Sequence, residues 1–260
     1  MNTRLAYPSD ITDAQWPILV LLVPAAKSGG RPNTYTRREI VNSIFYLLRT
    51  GCPWRYLPHD LPPYRIVNYY YNTWRKDGSW QHIHDTLRDL VRAQDGRDPQ
   101  PTAAILDSQS VKTTEQGGVC GYDAGKKVKG RKRHLLVDTM GLILVAVVVS
   151  ASIQDREAAY PVLSLAKARF TRLQRIWADG GYTGKLVDWV QERCHWVLEI
   201  IKRSDTAQGF EVVPKRWVVE RTFGWLGRYR RLSKDYEYKT HSSTTMILIA
   251  MSHLMLRRLA

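Results

Sequence analysis

An apolar run in the second half of the chain restricts what the protein can fold into. Residues 142–149 are apolar without interruption, a length that suits a buried strand and is far too short to cross a bilayer. Residues 132–138 precede this run across the turn Thr139-Met140-Gly141. Two strand-length segments joined by a short turn with glycine predict a β-hairpin.

The remaining elements of the second half predict a mixed sheet with helices on its faces, because strands and helices alternate along the chain. Three further strands are predicted at 102–106, 173–178 and 196–201. Four helices are predicted at 155–169, 183–193, 215–232 and 243–259.

Three acidic residues of this region are candidates for metal chemistry. Asp107 and Asp179 each follow a predicted strand, the position at which α/β sheets place their sites. Glu220 shares one face of its predicted helix with Arg216, Phe223, Gly224 and Gly227. Should the two strands be parallel neighbours, the three carboxylates converge. The alternatives are aspartates that cap turns and a glutamate paired with Arg216.

Converging carboxylates have a definite chemical use. Their hard oxygens bind divalent metals, and two such metals activate an attacking oxygen and stabilise the leaving oxygen of a phosphodiester.

The charge distribution points to an anionic partner. The net charge is +15 and the pI is near 9.8. Residues 1–100 carry a net +4 and residues 101–260 a net +11. A basic surface of this size is typical of nucleic-acid binding, although a basic proteome or a ribosomal association has the same effect.

The first part of the chain predicts short helices at 12–23, 37–49, 64–74 and 79–92. Tight turns and basic, aromatic surroundings favour a helix-turn-helix-like DNA-binding domain; the alternative is a helical bundle used for dimerisation. The polar linker 95–101 places the boundary between an all-helical domain, 1–98, and a catalytic domain, 99–260. The predicted groove-reading segment, 64–76, offers five polar positions: Arg65, Asn68, Asn72, Arg75 and Lys76.

Basic residues near the three acids are predicted DNA-phosphate contacts, with a solvated charged loop as the alternative. Six lie between the first predicted strand and the start of the hairpin: Lys126, Lys127, Lys129, Arg131, Lys132 and Arg133. Five more lie near the acids in sequence: Lys112, Arg216, Arg228, Arg230 and Arg231.

Cysteine usage and the N-terminus favour the cytoplasm. Cys52, Cys120 and Cys194 show neither metal-site spacing nor a disulfide framework. No apolar signal core precedes Pro8. The expectation is a cytoplasmic, nucleoid-associated protein with no membrane partner.

Several motifs together resemble the DDE transposases of bacterial insertion sequences, especially the insertion-sequence-five branch. The matching segments are 51–58 (GCPWRYLP), 105–112 (ILDSQSVK), 130–138 (GRKRHLLVD), 178–182 (ADGGY) and 216–226 (RWVVERTFGWL). They occur in the family's order and span nearly the whole chain.

The resemblance implies a ribonuclease-H-like catalytic domain with Asp107, Asp179 and Glu220 as catalytic and metal-binding triad. It implies Mg²⁺ as cofactor, with Mn²⁺ as a substitute. It also implies double-stranded DNA as partner, namely the terminal inverted repeats of the element and the target DNA, and a homodimer or larger assembly to pair two ends. The expected reaction is cleavage at the repeats followed by strand transfer.

The chain departs from the family's pattern at two positions. The signature around the glutamate has a tyrosine where this chain has Val213 and a lysine where it has Gly227, with Arg228 next to it. Two other functions stay open: a metal-dependent endonuclease that does not join strands, and a non-catalytic DNA-binding regulator derived from a transposase.

Overall fold

The protein is described by a computed structural model that covers residues 4–25, 34–201 and 215–260. Its first part forms four helices: α1 (Trp16–Val20), α2 (Arg37–Thr50), α3 (Tyr64–Lys76) and α4 (Ser79–Gln94). The predicted helices at 37–49, 64–74 and 79–92 are confirmed. The helix predicted at 12–23 is much shorter, since Pro17 lies in its first turn, where proline favours a helix start.

Helix α2 shows how local sequence sets these boundaries. The Thr36 hydroxyl accepts a hydrogen bond from the Glu39 amide, 3.2 Å long, which satisfies one of the free amides of the first turn. Gly51 ends the helix at φ 73°, a left-handed conformation that glycine adopts without strain.

The second part contains a six-stranded mixed sheet. Its strands are β1 (Ala103–Lys112), β2 (Gly121–Asp123), β3 (Val128–Asp138), β4 (Ile143–Ser150), β5 (Arg175–Ala178) and β6 (Val197–Ile200). Strand β3 pairs antiparallel with β1, β2 and β4, whereas β1, β5 and β6 are parallel to one another. The predicted hairpin is therefore β3–β4. Strand β2 was not predicted, and β1 continues past Asp107 instead of ending there.

Four helices accompany the sheet: α5 (Asp155–Arg169), α6 (Lys185–Trp189), α7 (Trp217–Gly227) and α8 (Thr240–Leu259). Helix α6 continues as a π-helical turn, Val190–Cys194. The prediction of one helix over 215–232 is wrong at its end. Helix α7 stops at Gly227, Tyr229 is extended, and a 3-10 turn follows at Arg230–Leu232.

The two faces of the sheet bury different helices. Ile105 and Val137 face a core shared with α2, α4, α7 and α8. Leu106 and Leu136 face a second core formed with α5 and α6. The predicted α/β class is confirmed: a mixed sheet with helices on its faces, preceded by an all-helical region. The domain boundary at 98/99 stays a prediction, because helices from both sides of it enter one core.

Within the described ranges, no helix is both long enough and apolar enough to cross a membrane.

Candidate active site

The pairing of β1 with β5 brings the two aspartates to one edge of the sheet. The last paired residues of the two strands are Ile105 and Trp177, and Asp107 and Asp179 each lie two residues further along. Side chains two residues apart on a strand share a face. Asp107 therefore points, like Ile105, to the side of the sheet that α7 covers.

Helix α7 contributes the third acid and a shared cation. Glu220 lies in its first turn, one turn after Arg216. The Arg216 Nη2 atom is 3.6 Å from Asp179 Oδ2, 3.7 Å from Glu220 Oε1 and 4.0 Å from Asp107 Oδ2. The three acids, called the carboxylate triad below, thus converge on one guanidinium group.

The two aspartates are held in the same way. Asp107 Oδ1 accepts a hydrogen bond of 2.7 Å from the Ser108 amide, and Asp179 Oδ1 accepts one of 2.8 Å from the Gly181 amide. In each carboxylate one oxygen is fixed by the backbone and the other points to Arg216. Asp179 therefore both caps a turn and belongs to the triad, so the two interpretations of it are compatible.

Burial and crowding perturb Asp107 in particular. Burial raises the pKa of Asp107 to about 6. The neighbouring Asp179 carboxylate raises it as well, while the Ser108 amide and the Arg216 and Lys126 cations act in the opposite direction. The Glu220 side chain is 50% exposed, so this member of the triad is open to solvent.

A polar network that the sequence did not reveal supports the triad from behind. The Ser108 hydroxyl donates to Asp155 Oδ1 at 2.9 Å, and Asp155 pairs with Lys132 at 3.1 Å. Lys126 Nζ donates to the Ser108 carbonyl at 3.1 Å. Asp155 is the first residue of α5 and in the sequence resembles any acid in the first turn of a helix, so no sequence signal marked it as part of the site.

Tyr182 lies buried beside this network. Burial raises the pKa of its hydroxyl well above the usual range, and the nearby carboxylates of Asp107, Asp155 and Asp179 raise it further. Tyr182 is therefore a neutral neighbour of the triad.

The predicted phosphate clamp divides into exposed and buried residues. Lys126, Lys127 and Lys129 are exposed, and these three remain predicted contacts. The prediction is wrong for the other three members of the set, whose side chains are buried: Arg131, Lys132 and Arg133.

The buried arginines Arg131 and Arg133 bind to carboxylate and carbonyl groups of the protein itself. Arg131 pairs with Asp235 at 3.1 Å and donates to the carbonyls of Glu237 and Tyr238. Arg133 donates to the Leu232 carbonyl at 2.7 Å. Both arginines thereby attach β3 to the segment between α7 and α8.

The same correction applies to Arg231, which is 6% exposed and pairs with Glu237 at 2.7 Å. Lys112, Arg228 and Arg230 are exposed and remain predicted contacts. Arg216 is occupied by the triad, and its contact with DNA also remains a prediction.

On α3, whose buried residues are Val67, Tyr71 and Trp74, three of the predicted DNA-facing residues are only partly exposed: Asn68, Asn72 and Arg75. Arg65 and Lys76 are exposed. The Asn72 side-chain amide donates to Asn68, and Arg75 Nη2 donates to Asn72 Oδ1 at 3.1 Å. A polar surface is thus present on α3, and its contact with DNA bases stays a prediction.

The chain departs from the family signature at Gly227 and Val213. Gly227 is the last residue of α7 and is exposed, as is Arg228, which follows it. Val213 lies outside the described residues.

The donor chemistry of the triad suits a divalent metal, because three carboxylates present oxygens to a common positive centre. As they stand, no three His, Cys, Asp or Glu side chains within the described parts of the chain are close enough together to hold an ion. The position between the carboxylates belongs to the Arg216 guanidinium.

Comparison with known families agrees with this architecture. A family described as "Transposase DDE domain" matches residues 98–255. The chain belongs to this family of DDE transposases. A second family, described as "Putative transposase of IS4/5 family", matches residues 11–84 in the helical part. The DDE family uses divalent metal ions, and its members act in cleavage and joining of DNA.

Two similar proteins come from Burkholderia cepacia. One, "Putative transposase for insertion sequence element IS402", is 30% identical over 115 residues, which cover 42% of this chain and 54% of the relative. The other, "Insertion element IS402 uncharacterized 16.2 kDa protein", is 27% identical over 117 residues, covering 43% of this chain and 78% of the relative. The chain thus spans about half the length of the first relative.

Two solved structures are also similar. "Mos1 transposase paired-end complex with left transposon end" is 12% identical, with 82% of this chain and 83% of that chain covered. "Crystal structure of the Mos1 Strand Transfer Complex" is 14% identical, with 91% and 79% covered. Both have a TM-score of 0.25, so no conclusion about this chain rests on them.

Proposed function

We propose that this chain is the DNA transposase of an insertion sequence, which cuts the terminal inverted repeats of its element and joins the freed ends to target DNA. The observation that carries the proposal is the convergence of Asp107, Asp179 and Glu220 on one cationic centre, in a member of the DDE transposase family. We also propose that the protein acts on double-stranded DNA in the bacterial cytoplasm.

In the first step a water oxygen bonds to the phosphorus at the transposon end, and the bond from phosphorus to the 3′ oxygen breaks. A free 3′-hydroxyl results. In the second step this 3′ oxygen bonds to a phosphorus of the target strand and displaces the 3′ oxygen there. Neither step needs a covalent bond between protein and DNA, so no serine or tyrosine nucleophile is assigned.

The triad would hold Mg²⁺, with Mn²⁺ as substitute, through Asp107, Asp179 and Glu220. Such ions supply activation of the attacking oxygen and stabilisation of the leaving oxygen. The residues of this chain contribute position and charge. The Ser108 and Gly181 amides fix the two aspartates. The proposed role of the exposed Lys126, which donates to the Ser108 carbonyl, is to neutralise the phosphate.

Two ends must meet in one complex before they can be joined. We therefore propose that at least two copies of the chain act together on a pair of inverted repeats.

The proposal is tested by replacing Asp107 with alanine. Mg²⁺-dependent cleavage of a duplex carrying the element's terminal repeat should fall below detection, while a gel-shift assay shows unchanged binding of the same duplex. Cleavage that survives in the variant would refute the assignment of the triad.

Two further assays separate the alternative functions. Precut ends supplied with target DNA give joined product if the chain is a transposase and none if it is an endonuclease alone. EDTA should stop all strand breakage; a DNA-binding regulator would show no breakage to stop and would keep its full binding.

A further inference from the structure

Arg216 has an unusual set of contacts for a surface arginine. Its Nη2 atom lies within 4.0 Å of all three carboxylates of the triad, which come from β1, the end of β5 and α7. Among the described residues, no other cation makes an ion pair with any of these acids. Arg216 therefore offsets the repulsion between all three carboxylates that the fold brings together, whereas Lys126 acts on Asp107 without forming an ion pair.

The attachment of Arg216 is electrostatic and loose. The distances of 3.6, 3.7 and 4.0 Å exceed those of charge-assisted hydrogen bonds. Its Nε atom is buried and has no hydrogen-bond partner among the described residues. A guanidinium that meets three anions and forms a good hydrogen bond with none of them is poorly satisfied where it lies.

The guanidinium also contacts the same three carboxylates that would hold a metal. A divalent ion bound by the triad next to Arg216 would face a positive charge at close range, and the two repel each other. Metal and Arg216 are therefore alternatives at this position.

We propose that Arg216 is an exchangeable counter-ion that positions the triad. Its guanidinium pairs with the three carboxylates when no metal is bound to them. When divalent cations bind the carboxylates, the guanidinium moves away from them and contacts a DNA phosphate beside the triad. This inference rests on the proposed function, since it takes the triad to be the metal site.

The exchange explains two features of the structure together. Arg216 already pairs with all three carboxylates of the triad, so metal binding would not have to overcome the full repulsion of three approaching carboxylates. The released guanidinium is already next to the position of the phosphodiester, and its planar set of donors suits bidentate contact with phosphate oxygens.

Metal affinity without DNA tests the inference directly. Mn²⁺ is titrated into the full-length protein while electron paramagnetic resonance counts the free ion, for wild type, Arg216→Gln, Asp107→Asn and the control Arg193→Gln. Arg193 is an exposed arginine in the π-helical turn after α6. Arg216→Gln should bind Mn²⁺ about tenfold more tightly than wild type, because a competing charge is removed. The control should match wild type.

Thermal unfolding in EDTA provides a second readout. Arg216→Gln should unfold roughly 2–4 °C below Arg193→Gln, the shift that corresponds to a small loss of stability in a chain of this size, and saturating Mn²⁺ should abolish the difference. Arg216→Lys keeps the positive charge but lacks the planar set of donors. Its Mn²⁺ affinity and its unfolding temperature should lie between those of wild type and Arg216→Gln. If Arg216→Gln does not fold, Arg216→Lys is measured in its place.

The outcomes distinguish the two proposals. Weakened Mn²⁺ binding in Asp107→Asn together with wild-type affinity in Arg216→Gln would overturn the counter-ion role alone. Equal Mn²⁺ binding by Asp107→Asn and wild type would show that the triad holds no metal, and both proposals would then fail.

Discussion

His253 is a buried histidine whose charge state links the stability of the whole protein to pH. It lies on α8 and stacks on Phe45 of α2, with ring centroids 4.3 Å apart. Burial lowers its pKa to about 3, and the cations Arg257 and Arg49 lower it further. The folded protein therefore keeps this imidazole neutral over most of the acidic range.

The sign of the pH effect follows from the lowered pKa. Between about pH 6.5 and pH 3 the unfolded chain binds a proton at His253 and the folded chain does not. The free energy of unfolding should decrease across this interval by up to about 1.4 kcal/mol per pH unit. Urea unfolding of wild type and His253→Phe at pH 7 and 4.5 measures the contribution.

The variant should lose less stability on acidification than wild type. Part of the pH dependence of the unfolding free energy will remain in this variant, because His84 and His134 are also buried and have lowered pKa values. His59→Phe, at an exposed position, is the control. The prediction would be contradicted if His253→Phe lost as much unfolding free energy between pH 7 and pH 4.5 as wild type does.

Single residues also show how far sequence reasoning reaches. Asp107, Asp179 and Glu220 were identifiable as candidates because the apolar segments before the two aspartates and the helix face of Glu220 follow from local patterns of apolar residues, although β1 continues past Asp107. The burial of Arg131 and Arg133 was not, because their acceptors, such as Asp235, lie far along the chain. Charge can be read from the sequence, but the partners that decide whether an arginine faces solvent are set by the tertiary fold.

At the scale of elements, α7 is positioned by its contact with the β3–β4 turn. The Thr222 hydroxyl donates to the Gly141 carbonyl at 2.8 Å, and Arg221 Nη2 donates to the Met140 carbonyl at 2.9 Å. Gly141 has φ +83°, and a Cβ atom there would lie 2.7 Å from Thr222 Oγ1. The close approach of helix and turn therefore requires glycine.

Gly141→Ala should destabilise the protein by about 1–3 kcal/mol and reduce cleavage further, because the displaced helix carries Glu220. Gly78→Ala is a matched control: φ is +82°, but nothing lies within 4 Å of the added Cβ. Urea unfolding and the end-cleavage assay measure both variants. Equal cleavage by the two, once the fraction folded is accounted for, would argue against positioning of α7 by the turn.

The basic segment around β3 yields a prediction that separates binding from stability. Lys127→Ala and Lys129→Ala remove exposed charges, and each should lower the slope of log affinity for DNA against log salt by about 0.9 if it contacts one phosphate. Their thermal stability should match wild type. Fluorescence anisotropy at several salt concentrations provides the slopes.

Arg131→Met should behave in the opposite way. It leaves the buried Asp235 carboxylate without its partner, which should cost about 3–5 kcal/mol of unfolding free energy, while folded protein keeps the wild-type salt slope. A stable Arg131→Met with a reduced slope would show that this arginine contacts DNA after all.

Helix ends show the same division between local and tertiary information. The ends of α2 were predictable because Thr36 and Gly51 act locally. The early end of α7 was not predictable from the sequence, because the basic and aromatic residues after Gly227 are compatible with a longer helix. The helix ends there because Tyr229 and Leu232 pack in the core.

At the scale of the whole molecule, the N-terminal helices and the sheet are joined through α8. This helix is buried on nearly all sides, which indicates a central element and not a surface one. Tyr71 of α3 donates to the Ser242 carbonyl, and Arg92 of α4 pairs with the fully buried Asp138 of β3. The apolar core is continuous from α2 to β4.

A continuous core predicts a single cooperative unit. Scanning calorimetry of the full chain should show one unfolding transition, with equal calorimetric and van't Hoff enthalpies. The fragment 99–260 should be unstable or aggregate, since α8 would expose the apolar side that α2 and α4 cover. Two resolved transitions, or a soluble fragment with a sharp transition, would support two independent domains.

The burial of α8 has a consequence for the order of events during synthesis. Helices α2 and α4 leave the ribosome early, whereas α8, the helix that completes their core, is made only after all six strands of the sheet. The N-terminal helices therefore cannot reach their final packing before α8 has been made. A nascent chain that lacks α8 exposes the apolar surface of α2 and α4 that this helix covers in the finished protein.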